Sequence, residues 1–172
     1  MVAARGAFVR GRGIDLPILG SDQGLVVAAM PHTLLNRTMD NNNTPLPTEI
    51  NLHQKSRVME LVFGDGKKFE RSFELLRGYS PSAEVAGHGP GQEVLQVGKR
   101  EVDISALEPV GNYAVQPTFS DGHSTGIYSW TYLHWLGTNR ESLWQDYLAR
   151  MQAAGASREP GAAPFEQRAK SK

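Results

Sequence analysis

Apolar and polar residues alternate along short stretches in the middle of the chain, and turn signals separate these stretches. Met59, Leu61 and Phe63 share one side of such a stretch, and Gly64-Asp65-Gly66 follows directly. A period of two residues indicates a half-buried strand, and a Gly-Asp-Gly turn after it is typical of a β-hairpin. Similar alternation occurs at 49–52, 102–106 and 113–119, and a second turn signal occurs at 120–122. The pattern restricts the fold to one that contains an antiparallel sheet built from hairpins.

Helical spacing replaces the strand period towards the end of this region. Leu143, Trp144, Tyr147, Leu148 and Met151 fall at i, i+1, i+4, i+5 and i+8, which is the apolar stripe of an amphipathic helix. Shorter helices are predicted over 73–76 and from 130 towards 137. The sequence therefore predicts an α+β fold, a small antiparallel β-sheet of hairpins with C-terminal helices packed on it. Trp144 and Tyr147 are expected to be largely buried.

Composition divides the 172 residues into three parts. Residues 1–45 are rich in Gly, Arg and Asn and show neither period, so we expect either a disordered extension or a start misassigned upstream of Met39. Residues 46–154 form the patterned domain. Residues 155–172 are rich in Ala, Gly, Pro and charge, and are expected to form a disordered tail.

Composition also excludes several classes of function. The chain has no Cys, which excludes disulfides, thiolate nucleophiles and cysteine zinc sites and suits a cytoplasmic protein. Lys and Arg number 18, as do Asp and Glu, and the basic clusters of the central region are only dipeptides, so no nucleic-acid partner is expected. No apolar run approaches the roughly 20 residues that span a bilayer, so no membrane association is expected.

The five histidines form no recognised metal-binding motif. None has a second His three to five residues later, and none begins the His-x-Asp or His-x-Glu pattern of non-haem iron oxygenases. A phosphate loop ending in Gly-Lys-Ser/Thr is also absent. The loop at 87–92, GHGPGQ, has two interpretations: an anion-binding nest of backbone N–H groups beside His88, or a tight surface turn.

Four motifs, in order along the chain, carry a resemblance. They are LRGYSPSAEV at 76–85, GHGPGQ at 87–92, EPVGNY at 108–113 and DGHSTGIYSW at 121–130. Together they resemble a bacterial family of stand-alone domains that is similar to the N-terminal domain of gamma-butyrobetaine hydroxylase, over roughly residues 46–154. Similar modules occur fused to iron–sulfur-carrier ATPases of the Mrp type.

The resemblance implies a degenerate zinc site. Family members with a structural zinc bind it through three Cys and a later His, and these positions correspond here to Ser80, Ser82, Val85 and His123. Two hydroxyls and a Val do not replace cysteine ligands, so no metal and no other cofactor is expected. The iron of the hydroxylase lies in a separate catalytic barrel, so the resemblance implies no oxygenase activity.

The resemblance favours a non-enzymatic binding or assembly module with a protein partner that the sequence does not identify, and leaves a homo-oligomer open. Binding residues are expected on the loop at 80–92 and the hairpin at 121–128, because loops on a rigid scaffold tend to carry function. The candidates are Arg77, Ser80, Ser82, Glu84, His88, Gln92, Asn112, Tyr113, Asp121, His123 and Tyr128.

Two other hypotheses stay open at this point. In one, the chain is a metal-associated, iron-handling accessory factor linked to iron–sulfur carrier proteins, with Glu84, His88 and His123 as iron ligands. In the other, it is a small enzyme that uses His88 or His123 as acid or base. Convergence of the imidazoles on one point would separate these hypotheses from the binding module.

Overall fold

The computed structural model describes residues 19–21, 24–29, 45–87 and 92–161, and for the first two segments it describes the backbone alone. These residues form eight strands and four helices. In chain order the elements are β1 (Leu19–Ser21), β2 (Gly24–Ala29), β3 (Pro47–His53), β4 (Val58–Phe63), β5 (Lys68–Ser72), α1 (Phe73–Gly78), α2 (Ala83–Ala86), β6 (Ile104–Val110), β7 (Ala114–Phe119), β8 (Tyr128–Ser129), α3 (Trp130–Thr138) and α4 (Arg140–Ala153).

The strands form two antiparallel sheets, with the orders β1-β2-β3-β4-β5 and β6-β7-β8. The α+β class predicted from the sequence is confirmed, although the hairpins are divided between two sheets. The alternation in β4 has the predicted effect, because Met59, Leu61 and Phe63 are all buried. The Gly-Asp-Gly turn joins β4 to β5, and Gly66 takes a φ of 81°, a conformation that suits glycine.

Both sheets share one hydrophobic core with α1 and α3. Ile50 and Leu61 of the first sheet, Ile104 and Val115 of the second and Leu133 of α3 belong to it. Ser72 caps α1 by accepting a hydrogen bond from the backbone N–H of Leu75. This cap fixes where α1 begins, directly after β5.

A buried arginine holds the end of α3 against the first sheet. Arg71 of β5 is 2% exposed, and it donates from Nε to the carbonyl of Leu136 at 3.1 Å and from Nη2 to the carbonyl of Gly137. Carbonyls in the last turn of a helix have no partner within the helix, and they carry the negative end of its dipole. Burial lowers the pKa of Arg71 to about 10, so the guanidinium stays charged at neutral pH.

Two strands lie where the sequence showed no strand period. β1 and β2 fall within the predicted extension at 1–45, and β2 pairs with β3 so that Leu25 lies opposite Leu52. The segment Gly24–Ala29, GLVVAA, is a continuous apolar run, and such runs lack the alternation by which half-buried strands are found. The alternative start at Met39 lies outside the described residues.

The first residues of the predicted tail at 155–172 pack on the domain. The backbone N–H groups of Gly98 and Arg100 donate to the carbonyls of Ser157 and Arg158, each at 2.9 Å. We call residues 156–159 the C-terminal strap. A run of small and charged residues gives no strand or helix period, so composition alone could not show this contact.

Helix α4 packs less deeply than predicted. Tyr147 and Met151 are buried in a second, smaller cluster with Val97, and the strap residue Ala156 packs against it. Trp144, by contrast, is only half-buried, because this cluster lies over the chain near residue 97 and not over a sheet face. None of the helices in the described segments is long and apolar enough to cross a bilayer.

Candidate functional site

A buried cluster of two serines and a histidine ties the loop after α1 to the turn after β7. Ser80 Oγ lies 2.8 Å from His123 Nε2, and Ser82 Oγ lies 3.4 Å from the same nitrogen. Ser80 is 2% exposed, Ser82 5% and His123 7%. We call these three residues the serine–histidine cluster. It brings together two of the four motifs that carried the family resemblance.

The elements around the cluster place each side chain. Helix α1 ends at Gly78, so Ser80 and Ser82 lie in the short non-helical segment between α1 and the single turn of α2. On the other side, a tight turn closed by Gly122, with a φ of 88°, ends β7 and delivers His123. The backbone N–H of Ser82 donates only a long bond to Ser80 Oγ, at 3.4 Å, so the main contact of the Ser80 hydroxyl is with His123.

The hydrogen bonds define the protonation of His123. Its Nδ1 lies 3.2 Å from Oε2 of Glu84, which can only accept when ionised, so Nδ1 carries the hydrogen and Nε2 accepts from the Ser80 hydroxyl. Burial lowers the pKa of His123, and the charge of Arg77 lowers it further. His123 is therefore a neutral imidazole at neutral pH.

The lowered pKa of His123 predicts that the fold loses stability in mild acid. The unfolded chain, with the ordinary value of 6.5, takes up the proton more readily than the folded protein, so stability falls as pH drops below that value and levels off beneath the folded pKa. Thermal unfolding between about pH 7.5 and 5.5 measures this. His123→Gln should flatten the dependence, whereas His53→Gln, at a half-exposed histidine away from the cluster, should not. Equal slopes for all three proteins would contradict the prediction.

A second set of charges fixes the turn that carries His123. Oδ2 of Asp121 lies 2.9 Å from Arg77 Nε and 2.6 Å from Lys99 Nζ, and Oδ1 accepts from the backbone N–H of His123 at 3.3 Å. Burial acts to raise the pKa of Asp121, but the bond from Lys99 and the charge of Arg77 outweigh it, and the pKa lies below its usual value. Arg77 and Asp121, both predicted as binding residues, thus form an ion pair that supports the cluster.

Ser80, His123 and Glu84 have the hydrogen-bond pattern of a catalytic triad, but the Ser80 hydroxyl is buried. A triad needs a nucleophile that substrate can reach. Here Gly126 lies so close that a Cβ added to it would stand 2.4 Å from Ser80 Oγ and 2.9 Å from the ring of Tyr128. The hydroxyl is thus enclosed by backbone and an aromatic ring.

The residues that the resemblance aligns with a structural zinc site do not fit that metal. Three of them are Ser80, Ser82 and Val85, and Val85 is an apolar side chain that is only 4% exposed. His123 Nε2, the fourth position, already accepts from a hydroxyl. Thiolate and imidazole are the usual donors of a structural zinc, and only one of the four remains. In the described segments no group of three or more His, Asp or Glu side chains is arranged to hold a metal ion.

The other predicted residues are distributed over three places. Glu84 contacts His123, but His88, the third iron ligand of the metal hypothesis, lies outside the described residues. Tyr128 is a core residue, 1% exposed, whose hydroxyl donates to the carbonyl of Leu76 at 2.7 Å. Asn112 and Tyr113 lie at the opposite end of β7 from the turn that carries His123, and the six residues of β7 separate them from the cluster.

The loop that follows α2 is narrow at its base. Gly87 has a φ of 71°, and a Cβ added to it would lie 2.6 Å from the carbonyl oxygen of Gln92. The backbone N–H of Val94 also donates to the carbonyl of Val85 at 2.8 Å. Residues 87 and 92 therefore stand side by side, and only glycine fits at the first of them.

An open cleft adjoins this loop, and the sequence did not predict it. Its volume is about 650 Å³, and its lining residues are Tyr79, Glu93, Tyr132, Trp135, Asp146 and Arg150. Tyr79 directly precedes Ser80 and Glu93 directly follows Gln92, so both ends of the loop meet at the cleft. The available signal was Trp135, which lies off the buried stripe of α3 formed by Trp130, Leu133 and Leu136.

Comparison with known proteins agrees with the resemblance. Residues 50–134 match the family described as "Gamma-butyrobetaine hydroxylase-like, N-terminal". A protein with an NMR solution structure is 52% identical, with a TM-score of 0.62, and the match covers 71% of this chain and 91% of that one. The chain belongs to the gamma-butyrobetaine hydroxylase-like N-terminal domain family. The family recognised from the four motifs is thereby confirmed.

Two other solved structures are similar to this chain. One is an NMR solution structure that is 42% identical, with a TM-score of 0.60, covering 70% of this chain and 94% of that one. The other is the crystal structure of a protein of unknown function of the DUF971 family from Acidithiobacillus ferrooxidans. It is also 42% identical, with a TM-score of 0.45, and the match covers 53% of this chain and 91% of that chain. No curated protein matches the chain significantly.

Proposed function

We propose that the protein is a non-enzymatic binding or assembly module, and that it binds a partner protein through one face. This face, the loop face, consists of the described loop residues 80–87 and the cleft at the base of the loop. The observation that carries the proposal is the serine–histidine cluster. It anchors the loop by buried hydrogen bonds between residues that the resemblance aligns with zinc ligands.

Burial separates the groups that could perform chemistry from those that could bind. The side chain of His123 is 4% exposed and Ser80 is enclosed, so neither can act on a substrate without opening the fold. The side chain of Glu84 is 65% exposed, and Trp135 is 44% exposed beside the cleft. Loops on rigid elements tend to carry binding residues, and an exposed Trp is typical of the residues that dominate interfaces.

Paired variants in the native host test the proposal. The tagged protein is purified from the host with its partners, and these are quantified by mass spectrometry against Trp135→Ala and against Asp103→Ala. Asp103 is a matched surface position, because it is ion-paired with Arg57 at 2.9 Å and lies outside the loop face. We expect a protein that is retained by the wild type and Asp103→Ala and lost by Trp135→Ala. Retention of every partner by Trp135→Ala would contradict the proposed face.

A further inference from the structure

The cleft of the loop face combines an aromatic wall with an acceptor-rich floor. The wall is Trp135, whose ring stacks on Tyr132 with centroids 5.6 Å apart and an interplanar angle of 22°. Trp135 nevertheless remains 44% exposed. A large aromatic surface that is held rigid from one side and left open to solvent is suited to receive a second planar group.

The two tyrosine hydroxyls of the cleft have their hydrogens committed to the protein. The hydroxyl of Tyr132 donates to the carbonyl of Tyr79 at 2.7 Å, and that of Tyr79 shares its single hydrogen between the carbonyl of Leu143 at 2.8 Å and Asp146 Oδ2 at 2.9 Å. Burial raises the pKa of Tyr132 to about 12, and burial together with Asp146 raises that of Tyr79 further. Both oxygens therefore remain protonated at neutral pH and offer acceptor lone pairs to a ligand.

The charges of the cleft favour a cation. The lining contains two carboxylates, Glu93 and Asp146, and one guanidinium, Arg150, which gives a formal charge of −1. Arg150 Nη1 lies 3.5 Å from Asp146 Oδ2, a long and weak ion pair, and the side chain of Asp146 remains 55% exposed. The carboxylate can therefore take a further charged donor that is better aligned than Arg150. A ligand that complements this cleft carries positive charge and hydrogen-bond donors.

We propose that this cleft binds an arginine side chain of the partner protein, stacked on Trp135 and paired with Asp146. The assignment rests on the proposed function and specifies its chemistry. Arginine fits better than lysine because its guanidinium is planar, stacks on aromatic faces and presents a fork of N–H groups to a carboxylate. A partner that presents an acidic segment would place like charge beside Asp146 at this position.

A peptide titration followed by NMR tests the assignment on the full chain. The probes are acetyl-Gly-Arg-Gly-amide, the same peptide with citrulline, which is nearly isosteric but neutral, and the same peptide with glutamate. We expect the arginine peptide to shift the Trp135 indole signal with a dissociation constant on the order of 1 mM. The citrulline and glutamate peptides should bind at least about fivefold more weakly. The indole of Trp130 donates to the carbonyl of Asn112 in the β6–β7 turn and serves as an internal reference.

Matched variants distinguish the proposed contact between arginine and Asp146 from a general effect of surface charge. Asp146→Asn should weaken the arginine peptide about five- to tenfold, whereas Asp103→Asn should leave its affinity unchanged. No saturable shift up to about 20 mM, equal binding of the citrulline peptide, or equal effects of the two Asn variants would overturn the assignment. If the peptides fail while Trp135→Ala still loses a partner from the host, the arginine assignment is wrong and the binding face stands.

Discussion

Replacing Arg158 with alanine is expected to lower the free energy of unfolding by about 2–4 kcal/mol. Arg158 donates from Nε and Nη2 to the two carboxylate oxygens of Glu74, at 2.7 and 2.6 Å. Glu74 lies on α1 and is only 5% exposed, and the guanidinium also lies over the Trp144 ring, 4.7 Å from its centroid. Removing the guanidinium leaves a buried carboxylate whose other bond is a long one of 3.3 Å from the Tyr147 hydroxyl.

The same strap provides the control for this prediction. Arg100 pairs with Glu159, and both side chains are more than half exposed, so Arg100→Ala should cost less than about 0.5 kcal/mol. The double variant Glu74→Met with Arg158→Met should recover much of the loss, because it removes both charges and keeps the packing. Chemical denaturation of the four proteins measures these differences. A cost for Arg158→Ala no larger than that for Arg100→Ala would show that the strap does not stabilise the domain.

The strap illustrates where inference from the sequence ends. Alternation found β4, and the Gly-Asp-Gly turn found its hairpin, because both signals are local: a period of two and a glycine at positive φ. The contact of Arg158 with Glu74 spans 84 residues, and neither residue has a neighbour that predicts it. The continuous apolar run of β2 likewise lacks an alternation that would distinguish a strand from other apolar segments.

The residues of the candidate site also differ in whether the sequence could predict them. Ser80, Ser82 and His123 were found together through the family resemblance, which supplied a spatial relation across 43 residues that no local pattern contains. The cleft had no such guide. Tyr79 and Asp146 are 67 residues apart, and Tyr79 and Tyr132 are 53 apart. Each of these residues is unremarkable in its own segment, and only the packing of α3 and α4 around the end of α1 brings them to one surface.

The largest effect is expected when three cysteines are introduced into the loop. Wild-type protein should purify without stoichiometric zinc, whereas Ser80→Cys, Ser82→Cys and Val85→Cys together should bind about one zinc per chain. The two hydroxyl oxygens already lie 2.8 and 3.4 Å from His123 Nε2. Tetrahedral zinc with its usual bond lengths holds a sulfur about 3.6 Å from the nitrogen, so the loop needs to widen by less than about 1 Å. Glu84, at 3.2 Å from Nδ1, would keep the ring oriented.

The size of the stabilisation by zinc follows from its binding to the folded state alone. A ligand that binds only the folded state, present at about a thousand times its dissociation constant, adds about 4 kcal/mol to the free energy of unfolding. The triple variant should therefore melt higher with zinc than after chelation, and elemental analysis should show the bound metal. His123→Gln in the triple background should abolish the gain, since only three ligands remain, and chelation should leave the wild type unchanged. A wild type that retains one zinc per chain, or that unfolds on chelation, would show that Ser80, Ser82 and His123 stabilise the loop in some way other than by their own hydrogen bonds.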